Sequence, residues 1–407
     1  MPAPGPHLIV VSMDTFRADR LGTLTPSLNA LSAESLLATQ TFSASNETLF
    51  SHAALFTGEL PTHYGELDYR TYALPPDTPT LAARLSRAGY RTEAVVAGGH
   101  LAPDFSLTAG FQRYQSMQDF SSFQETLPIA LDRLDALARG DRPFFLFIHG
   151  YDTHTPYVRP GPLFRASTPA YEGPFLELAR DPLTYERIYA GLYYPSFYPG
   201  EQFGEDGRRF LDPEVFSALE SHASENPGVP LTDADLAFLR GHYDSAVRTA
   251  DLAVGILLET LGSLGLDDDT ILVVLSDHGE DLMEHGFFNH RQSLHDTNTH
   301  VPLMIRGPGV EPGVISTPTS LLDVLPTVLG LLDQPPPETP GQDLRGPTDA
   351  DRIVRAVSLR GHQSWRSSDG LLILSENGIE SLSNGSGTPL SPADDEARRL
   401  IGASEAP

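Results

Sequence analysis

Cysteine and lysine are both missing from this chain. The sequence has 407 residues with no cysteine, and all 27 residues counted as Lys+Arg are arginine. Without cysteine there is no disulfide framework, no thiolate metal site and no cysteine nucleophile, and cysteine usage says nothing about the redox compartment. Without lysine, histidine or arginine has to meet the negative charge that develops on a leaving group.

Positive charge is also scarce. Asp+Glu 54 against Lys+Arg 27 gives a net charge of −27, while 40% hydrophobic residues is ordinary for a globular chain with a sizeable core. So acidic a surface repels nucleic acid phosphates and anionic lipid headgroups, and we expect neither nucleic acid nor membrane as a partner. A small anionic substrate would need a locally positive site. The oligomeric state is left open.

Long apolar runs are absent near the start of the sequence. Residues 1–6 carry no positive side chain, and the apolar run at residues 7–13 is too short for a signal peptide core or a membrane span. We interpret that run as the first strand of a cytoplasmic protein.

What the sequence does contain is an alternation of buried strands and helices. Apolar runs rich in β-branched or aromatic residues predict strands at 8–13, 144–149 and 270–276, and helical patterns occur at 80–88, 129–138 and 236–264. This alternation predicts an α/β fold with a doubly wound, mostly parallel sheet flanked by helices.

The pattern changes in two places. Residues 156–235 are rich in proline, glycine and aromatics and predict a loop-rich insertion over the site, although a hydrophobic cluster beneath a long loop is an alternative. The proline run at 335–337 predicts a linker after a helix-like segment at 321–332. We therefore divide the chain into a catalytic domain, 1–334, and a small C-terminal α+β subdomain with a polar tail, 335–407, with short strands at 354–359, 370–375 and 379–382.

Ionisable residues follow the predicted strands directly. Asp14 comes after the first strand, and Asp277 and His278 come after the third, where parallel α/β sheets bind their ligands. Carboxylate and imidazole groups at such positions are candidate ligands of a divalent cation, with Thr48 as a possible fourth ligand. Asp152 and His154 follow the remaining strand.

Thr48 stands where a polar turn passes into a short amphipathic segment that ends at Gly58. This pattern predicts a helix N-terminus, whose unpaired N–H groups favour an anion beside the Thr48 hydroxyl. Thr48 could simply be the N-cap residue of that helix. Together with the cation ligands, it could instead be a metal-activated nucleophile that attacks phosphorus or sulfur. The metal would be Ca²⁺, Mg²⁺, Mn²⁺ or Zn²⁺.

Several motifs occur in a consistent order between residue 7 and about residue 344, and their ordered set resembles the sulfatase family of the alkaline phosphatase superfamily. The matching segments are residues 13–22, 25–28, 51–58 with 61–63, 143–149 leading to 152–157, 276–280 with 284–286 and His290, and 301–309. The resemblance implies an alkaline-phosphatase-like fold. It also implies that Asp14, Asp277 and His278 hold the metal, that His154 contacts the sulfate or phosphate group, and that His290 assists the leaving group.

The sequence departs from the family pattern at the residue that such enzymes convert to formylglycine. Counting back from Gly58 places Thr48 at the usual cysteine or serine, so no formylglycine is expected. His52 occupies the position of the motif's arginine and is a candidate substrate contact, and Glu59 occupies a position that is usually basic. Thr15 replaces a second acidic residue.

The segment from Thr48 to His52 is instead similar to the T-x-P-N-H pattern of nucleotide pyrophosphatase/phosphodiesterase relatives, which attack phosphorus with threonine and use two metals. A second cation would be held by Asp152 or His154 together with His290 or His295. One-metal and two-metal geometries both remain open on the sequence.

These observations predict a metal-dependent hydrolase of sulfate or phosphate esters. Phosphomonoesters or phosphodiesters are favoured because Thr48 replaces the formylglycine precursor. One alternative is a transferase that passes the phospho group to an alcohol. Another is a non-catalytic binding protein that keeps the fold, which the many ionisable residues at strand ends disfavour.

Overall fold

The computed structural model of the chain describes residues 5–404 except 119, 156, 158–169, 173–231, 286–287, 336, 386 and 392. Most of the predicted insertion at 156–235 therefore lies outside the described residues. Within the described ranges, no helix combines the length and the apolar character that crossing a membrane requires.

Helices and strands alternate through most of the chain. The helices are α1 (Pro26–Ala33), α2 (Thr48–Thr57), α3 (Leu81–Arg87), α4 (Phe123–Ala138), α5 (Asp233–Leu264), α6 (Asp296–Thr299), α7 (Val324–Leu331) and α8 (Asp395–Ser404). The strands are β1 (His7–Met13), β2 (Leu36–Phe42), β3 (Arg91–Val96), β4 (Arg113–Ser116), β5 (Phe144–Gly150), β6 (Thr270–Leu275), β7 (Asp281–Leu282), β8 (Phe288–Asn289), β9 (His300–Arg306), β10 (Gly313–Ile315), β11 (Thr319–Ser320), β12 (Val354–Val357), β13 (Gln363–Arg366), β14 (Gly370–Ser375) and β15 (Gly378–Asn384).

The central sheet has nine strands in the order β10-β2-β9-β6-β1-β5-β3-β4, with β11 beside β2. β1 is the middle strand and pairs in parallel with β5 and β6, so that Leu8 lies opposite both Phe145 and Ile271. β9 runs antiparallel to β2 and β6, which makes the sheet mostly parallel. The predicted doubly wound α/β fold is confirmed.

Helices cover both faces of this sheet, because side chains that alternate along the buried strands need apolar partners on each side. Ile9 and Val11 of β1 belong to the same core as α4 and α5. Leu8 and Val10 face the other way and share a core with α2, α3 and α7. The polar carboxyl ends of β1, β5 and β6 therefore lie at one edge of the sheet, between the two cores.

Helix α4 begins at Phe123, six residues before the pattern at 129–138 predicted, and contains Pro128. A capping box between Ser122 and Glu125 sets its start. The predicted helix at 236–264 begins a few residues earlier, after Thr232, and ends at Gly265 with φ 68°. Glycine is favoured at that end because the backbone is left-handed.

The C-terminal residues form a separate antiparallel sheet in the order β12-β13-β14-β15, against which α8 packs. This sheet is joined to the larger α/β part of the chain by main-chain hydrogen bonding. The Val357 N–H donates to the Ala44 carbonyl at 2.9 Å, and Ser45 forms a parallel bridge with Val357. On β15, Glu380 accepts a hydrogen bond from the Ser293 hydroxyl. The C-terminal sheet therefore contacts the loops on either side of the candidate site.

Candidate active site

Thr48 is the first residue of helix α2, and its hydroxyl bonds outside that helix. The N-cap residue is Glu47, which makes no side-chain capping bond. Thr48 Oγ1 donates to Asp14 Oδ2 at 3.0 Å and lies 3.4 Å from His278 Nε2. The first-turn N–H groups and the positive end of the helix dipole stabilise negative charge at this place. Thr48 is therefore not a simple N-cap, and its hydroxyl lies among ionisable groups.

Asp14 and Asp277 leave adjacent parallel strands at the same edge of the sheet. β1 and β6 are in register, with Ser12 opposite Leu275. Asp277 Oδ1 accepts the backbone N–H of His278 at 2.9 Å and that of Thr15 at 3.2 Å. One ligand atom each from Asp14, Asp277 and His278 lies within 4.8 Å of the others. The strand register thus assembles the cluster that the sequence predicted.

The cluster fits a divalent cation. Burial raises the pKa of Asp277 well above its usual value, and the neighbouring Asp14 raises it further. Asp277 Oδ2 is buried without a hydrogen bond to any described residue, and it lies 3.4 Å from His278 Nε2. Burying a carboxylate without a hydrogen bond costs free energy unless a positively charged group lies beside it. Two carboxylates, an imidazole and the Thr48 hydroxyl suit Mg²⁺, Ca²⁺, Mn²⁺ or Zn²⁺.

Two buried histidines lie behind these carboxylates. His52 Nδ1 donates to the Thr48 carbonyl at 2.8 Å, and His52 Nε2 accepts from Ser12 Oγ at 2.9 Å. His149 Nε2 lies 3.4 Å from Asp14 Oδ2. Burial lowers the pKa of His52 well below its usual value and that of His149 to about 3, so both rings are neutral. His52, His149 and one carboxylate of the cluster also lie within ligand distance of each other, but both His52 nitrogens already have protein partners.

His290 lies beside the cluster, and His154 lies beside His290. The ring of His290 lies 4.4 Å from that of His278 and 5.2 Å from that of His154. His290 Nδ1 lies 3.2 Å from Glu280 Oε1. Burial, and then the neighbouring His278, lowers the pKa of His290. His154 donates from Nδ1 to the Thr155 carbonyl at 2.7 Å.

Of the residues predicted for a second cation, His154 and His290 lie side by side, with ring centres 5.2 Å apart, whereas Asp152 and His295 make other contacts in the part of the chain that the structure describes. Asp152 Oδ2 accepts the backbone N–H of Phe123 at 2.7 Å, at the start of α4. The His295 ring stacks on the His285 ring at 3.7 Å, and burial lowers its pKa to about 4. No cluster of potential ligands among the described residues includes Asp152, His154 or His295.

The structure also places at the site some residues whose roles the sequence motifs did not indicate. Glu280 contacts His290, and His149 lies behind Asp14. The Arg291 guanidinium lies 5.1 Å from the ring centre of Tyr69 and 3.5 Å from Glu47 Oε2, measured from its Nε. The available signals were weak: a polar residue at the end of an apolar strand for His149, and proximity in sequence to His290 for Arg291.

Comparison with known sequences assigns the motifs to one family. The profile of the Sulfatase family matches residues 6–334. Arylsulfatase K of Xenopus laevis is 26% identical over 346 residues, which are 78% of this chain and 61% of that protein. Choline-sulfatase of Rhizobium meliloti is 37% identical over 118 residues, covering 28% of this chain and 23% of that protein. The chain thus spans less than two thirds of the length of these relatives.

Known structures share the fold at low sequence identity. Phosphonate monoester hydrolase of Agrobacterium radiobacter superposes with a TM-score of 0.71 at 19% identity, over 98% of this chain and 94% of that chain. A protein solved with its substrate D-glucosamine-2-N,6-O-disulfate superposes with a TM-score of 0.70 at 19% identity, over 98% of this chain and 97% of that chain. The chain therefore shares the fold of these solved structures, and because the family profile covers most of its length, the chain belongs to the sulfatase family.

Proposed function

We propose that this protein is a metal-dependent hydrolase of sulfate or phosphate esters that uses Thr48 as its nucleophile, with phosphomonoesters or phosphodiesters favoured. The observation that carries the proposal is the position of the Thr48 hydroxyl, 3.0 Å from Asp14 Oδ2 and 3.4 Å from His278 Nε2 at the start of α2. The names of relatives support this substrate class, since they include an arylsulfatase, a choline-sulfatase and a phosphonate monoester hydrolase.

Asp14, Asp277, His278 and Thr48 would hold the cation. A divalent cation there supplies a Lewis acid that lowers the pKa of a hydroxyl and offsets the charge of an anionic ester. Asp14 Oδ2 accepts the hydrogen bond of the Thr48 hydroxyl and can take its proton. The first turn of α2 stabilises the resulting oxyanion.

The reaction then proceeds by two displacements. Thr48 Oγ1 forms a bond to phosphorus or sulfur while the bond to the leaving-group oxygen breaks, and His290 donates a proton to that oxygen. His154, whose ring lies 5.2 Å from that of His290, is placed to bind a non-bridging oxygen. In the second displacement, His290 takes a proton from water, which attacks the same central atom and releases Thr48.

The side chain at position 48 favours phosphorus. Formylglycine is an aldehyde and can form only where the β-carbon carries two hydrogens, as in cysteine or serine. The β-carbon of Thr48 carries a methyl group, so its oxidation would give a ketone. Thr48 therefore has to react as an alcohol. The phosphate or sulfate ester that it forms has to be hydrolysed by attack of water on phosphorus or sulfur.

The test compares 4-nitrophenyl sulfate, 4-nitrophenyl phosphate and bis(4-nitrophenyl) phosphate on metal-reconstituted protein, with Thr48→Ala alongside. We expect phosphoester turnover in the wild type and a loss of at least about 10³-fold in the variant, equivalent to roughly 4 kcal/mol of transition-state stabilisation. Acid-quenched wild type should carry a phosphate on the peptide that contains Thr48. Thr57→Ala at the other end of α2, where the hydroxyl donates to the Ala53 carbonyl and accepts the Glu59 N–H, is the matched control.

The other outcomes are distinct. Sulfate turnover that survives Thr48→Ala would refute Thr48 as the nucleophile. Metal binding without turnover of any ester would favour a non-catalytic binding protein. Transfer of the phospho group to an added alcohol in preference to water would favour a transferase.

A further inference from the structure

An arginine lies between the segment that carries Thr48 and the segment that carries His290. Arg291 directly follows His290, and Glu47 directly precedes Thr48. Arg291 Nε lies 3.5 Å from Glu47 Oε2. Arg291 Nη2 donates to the Tyr69 hydroxyl at 3.3 Å. The guanidinium is therefore held next to the proposed nucleophile and the proposed proton donor.

The contacts of Arg291 fix the guanidinium and leave part of it accessible. Its carbon lies 5.1 Å from the centre of the Tyr69 ring, and the Tyr69 hydroxyl in turn donates to Glu47. The Arg291 side chain is 24% exposed, whereas that of Glu47 is completely buried. A guanidinium carries five N–H donors in a planar fork, so an arginine that contacts a carboxylate and a phenol can also bind an anion.

A row of rings connects Arg291 to His154. The Tyr69 ring stacks on that of His100 at 4.2 Å. The His100 ring lies 6.3 Å from that of Phe120, which stacks on the His154 ring at 5.0 Å. Phe120 has φ 56°, a left-handed conformation that costs free energy for a bulky residue and that is concentrated at functional sites. All four rings are partly exposed, so they offer a ligand one continuous aromatic surface.

The other charged groups near this surface are matched or neutral. Arg17 also lies near the cation cluster, where it donates to the Glu280 carbonyl at 3.0 Å. However, its guanidinium binds both oxygens of Asp19, and its side chain is only 6% exposed. Burial lowers the pKa of His100 well below its usual value, and the positive charge of Arg291 lowers it further. An anionic group on the row of rings would therefore meet its positive charge at Arg291.

We propose that Arg291 and Tyr69 form a subsite for a second anionic group, so that the preferred substrates are esters whose leaving group is a ring bearing a carboxylate, phosphate or sulfate. The anionic group binds the guanidinium, and the ring packs on the row from Tyr69 to His154. This inference rests on the proposed function, because it concerns the leaving group of the ester that Thr48 would cleave. The second anionic group takes no part in bond breaking, so the subsite contributes binding energy and acts mainly on KM.

The experiment compares 4-carboxyphenyl phosphate with 4-carbamoylphenyl phosphate, which have similar shapes and differ in charge. In the wild type we expect a lower KM for the carboxylate, although the net charge of −27 repels it. In Arg291→Gln, the ratio of kcat/KM for the carboxylate to that for the amide should fall between about 10-fold and about 100-fold, mainly through KM. The different reactivities of the two leaving groups cancel when this ratio is compared between proteins.

A second arginine provides the matched control. Arg306, at the end of β9, is 18% exposed and pairs with Asp267 at 2.9 Å and Glu34 at 3.3 Å. Arg306→Gln removes the same charge from the protein and should leave the ratio between the two esters unchanged. Equal losses on both esters in Arg291→Gln would overturn the proposal and assign Arg291 to holding Glu47 in place.

A binding measurement separates this proposal from the nucleophile assignment. Calorimetry on the metal-loaded protein compares 4-hydroxybenzoate with 4-hydroxybenzamide, the two leaving groups alone. We expect wild type and Thr48→Ala to bind the benzoate at least about 10-fold more tightly than the amide, and Arg291→Gln to bind both alike.

Two results of this measurement would overturn the subsite. A preference for the benzoate that persists in Arg291→Gln would place the carboxylate on the cation instead. Equal binding of the two compounds to the wild type would exclude the subsite even if Arg291→Gln failed to fold. If Thr48→Ala kept full turnover while the preference depended on Arg291, the nucleophile assignment would fail and the subsite would stand.

Discussion

Two buried aspartates in this molecule have opposite surroundings. Asp323, at the start of α7, is fully buried, and both of its oxygens are satisfied by the chain. It accepts the backbone N–H groups of Ser320 at 2.8 Å and Gln342 at 2.7 Å, and the Arg352 guanidinium binds both oxygens at 2.6 and 2.7 Å. Its negative charge is matched within the protein.

Asp277 is equally buried, but its charge is not matched. Its Oδ1 accepts two backbone N–H groups, whereas Oδ2 makes no hydrogen bond to the described residues. The ionisable groups around it are another carboxylate, Asp14, and histidines such as His52, whose pKa burial lowers. Among the described residues, no arginine lies within ion-pair distance of Asp277.

We interpret this difference as that between a structural carboxylate and the proposed cation ligand. Where the chain supplies an arginine, the buried charge stabilises one conformation and needs nothing else. Where the chain supplies a second carboxylate and neutral rings, the charge is removed by a proton, as the raised pKa of Asp277 indicates, or balanced by a positive group from outside the protein. The divalent cation that we propose has the required charge and size.

The sharpest test of this comparison is Asp277→Asn, which keeps an oxygen for the two backbone N–H groups and removes the charge. We expect turnover to fall at least about 10³-fold, or roughly 4 kcal/mol. The metal-free variant should melt at the same temperature as wild type or higher, since a buried like charge beside Asp14 is gone. Added Mg²⁺, Mn²⁺ or Zn²⁺ should raise the melting temperature of wild type only.

A metal-free Asp277→Asn protein that melts well below wild type would show that the carboxylate is structural, as Asp323 is. Retention of the metal-induced shift in that variant would place the cation elsewhere.

The converse change is Arg352→Leu, which removes the guanidinium group that pairs with Asp323. Because the buried Asp323 would then be left without its partner, we expect the free energy of unfolding to fall by about 3–5 kcal/mol. The activity of the folded fraction should persist, since Arg352 does not contact the cluster. Urea denaturation followed by circular dichroism measures the free energy of unfolding, and turnover per active site measures the activity of the folded fraction. A stability change below about 1 kcal/mol would contradict the comparison.

An ionisable group can also be buried in its neutral form, and His242 on α5 is an example. Burial lowers the pKa of His242 from 6.5 to about 4, and its ring lies 4.7 Å from that of Phe238. Between those pH values the unfolded chain binds the extra proton, so stability rises with pH and is lost as pH falls from about 6.5 to about 4. In His242→Gln, the free energy of unfolding should change by up to about 3 kcal/mol less over this pH range than in the wild type.

The measurement is the free energy of unfolding against pH, with the metal absent from both proteins. The free energy of unfolding should rise less steeply with pH for His242→Gln than for the wild type, and the difference in slope should correspond to at most one bound proton. Parallel curves for the two proteins would mean that His242 titrates normally in the folded state.

Much of this arrangement was predictable from sequence, and the reason is the regularity of parallel sheets. Strands at 8–13, 144–149 and 270–276 are confirmed, and their carboxyl ends carry Asp14 and Asp277 to one edge because β1 and β6 are neighbours in register. The α2 start at Thr48 and its end at Gly58 followed from local helix signals. The roles of these residues stay predictions.

Other features depend on pairings that no local pattern records. Strands β2 and β9 pair antiparallel. Polar and apolar residues do not alternate clearly in either strand, so the sequence pattern did not predict them. The contact between Glu280 and His290 depends on the register of β7 and β8. Asp152 was one candidate ligand of a possible second cation, and its contact with the Phe123 N–H at the start of α4 depends on a first helical turn that the pattern at 129–138 left out.

The join between the C-terminal sheet and the Thr48 loop bears on biosynthesis. The bond from Val357 to Ala44 and the bridge from Val357 to Ser45 connect the loop before α2 to a strand that leaves the ribosome long after it. During translation the central sheet can form early, while this loop still lacks its neighbouring strand. A nascent or proteolytically shortened chain would therefore carry every proposed catalytic side chain and still have an incompletely supported loop. Catalytic competence would arrive with the last strands to be made.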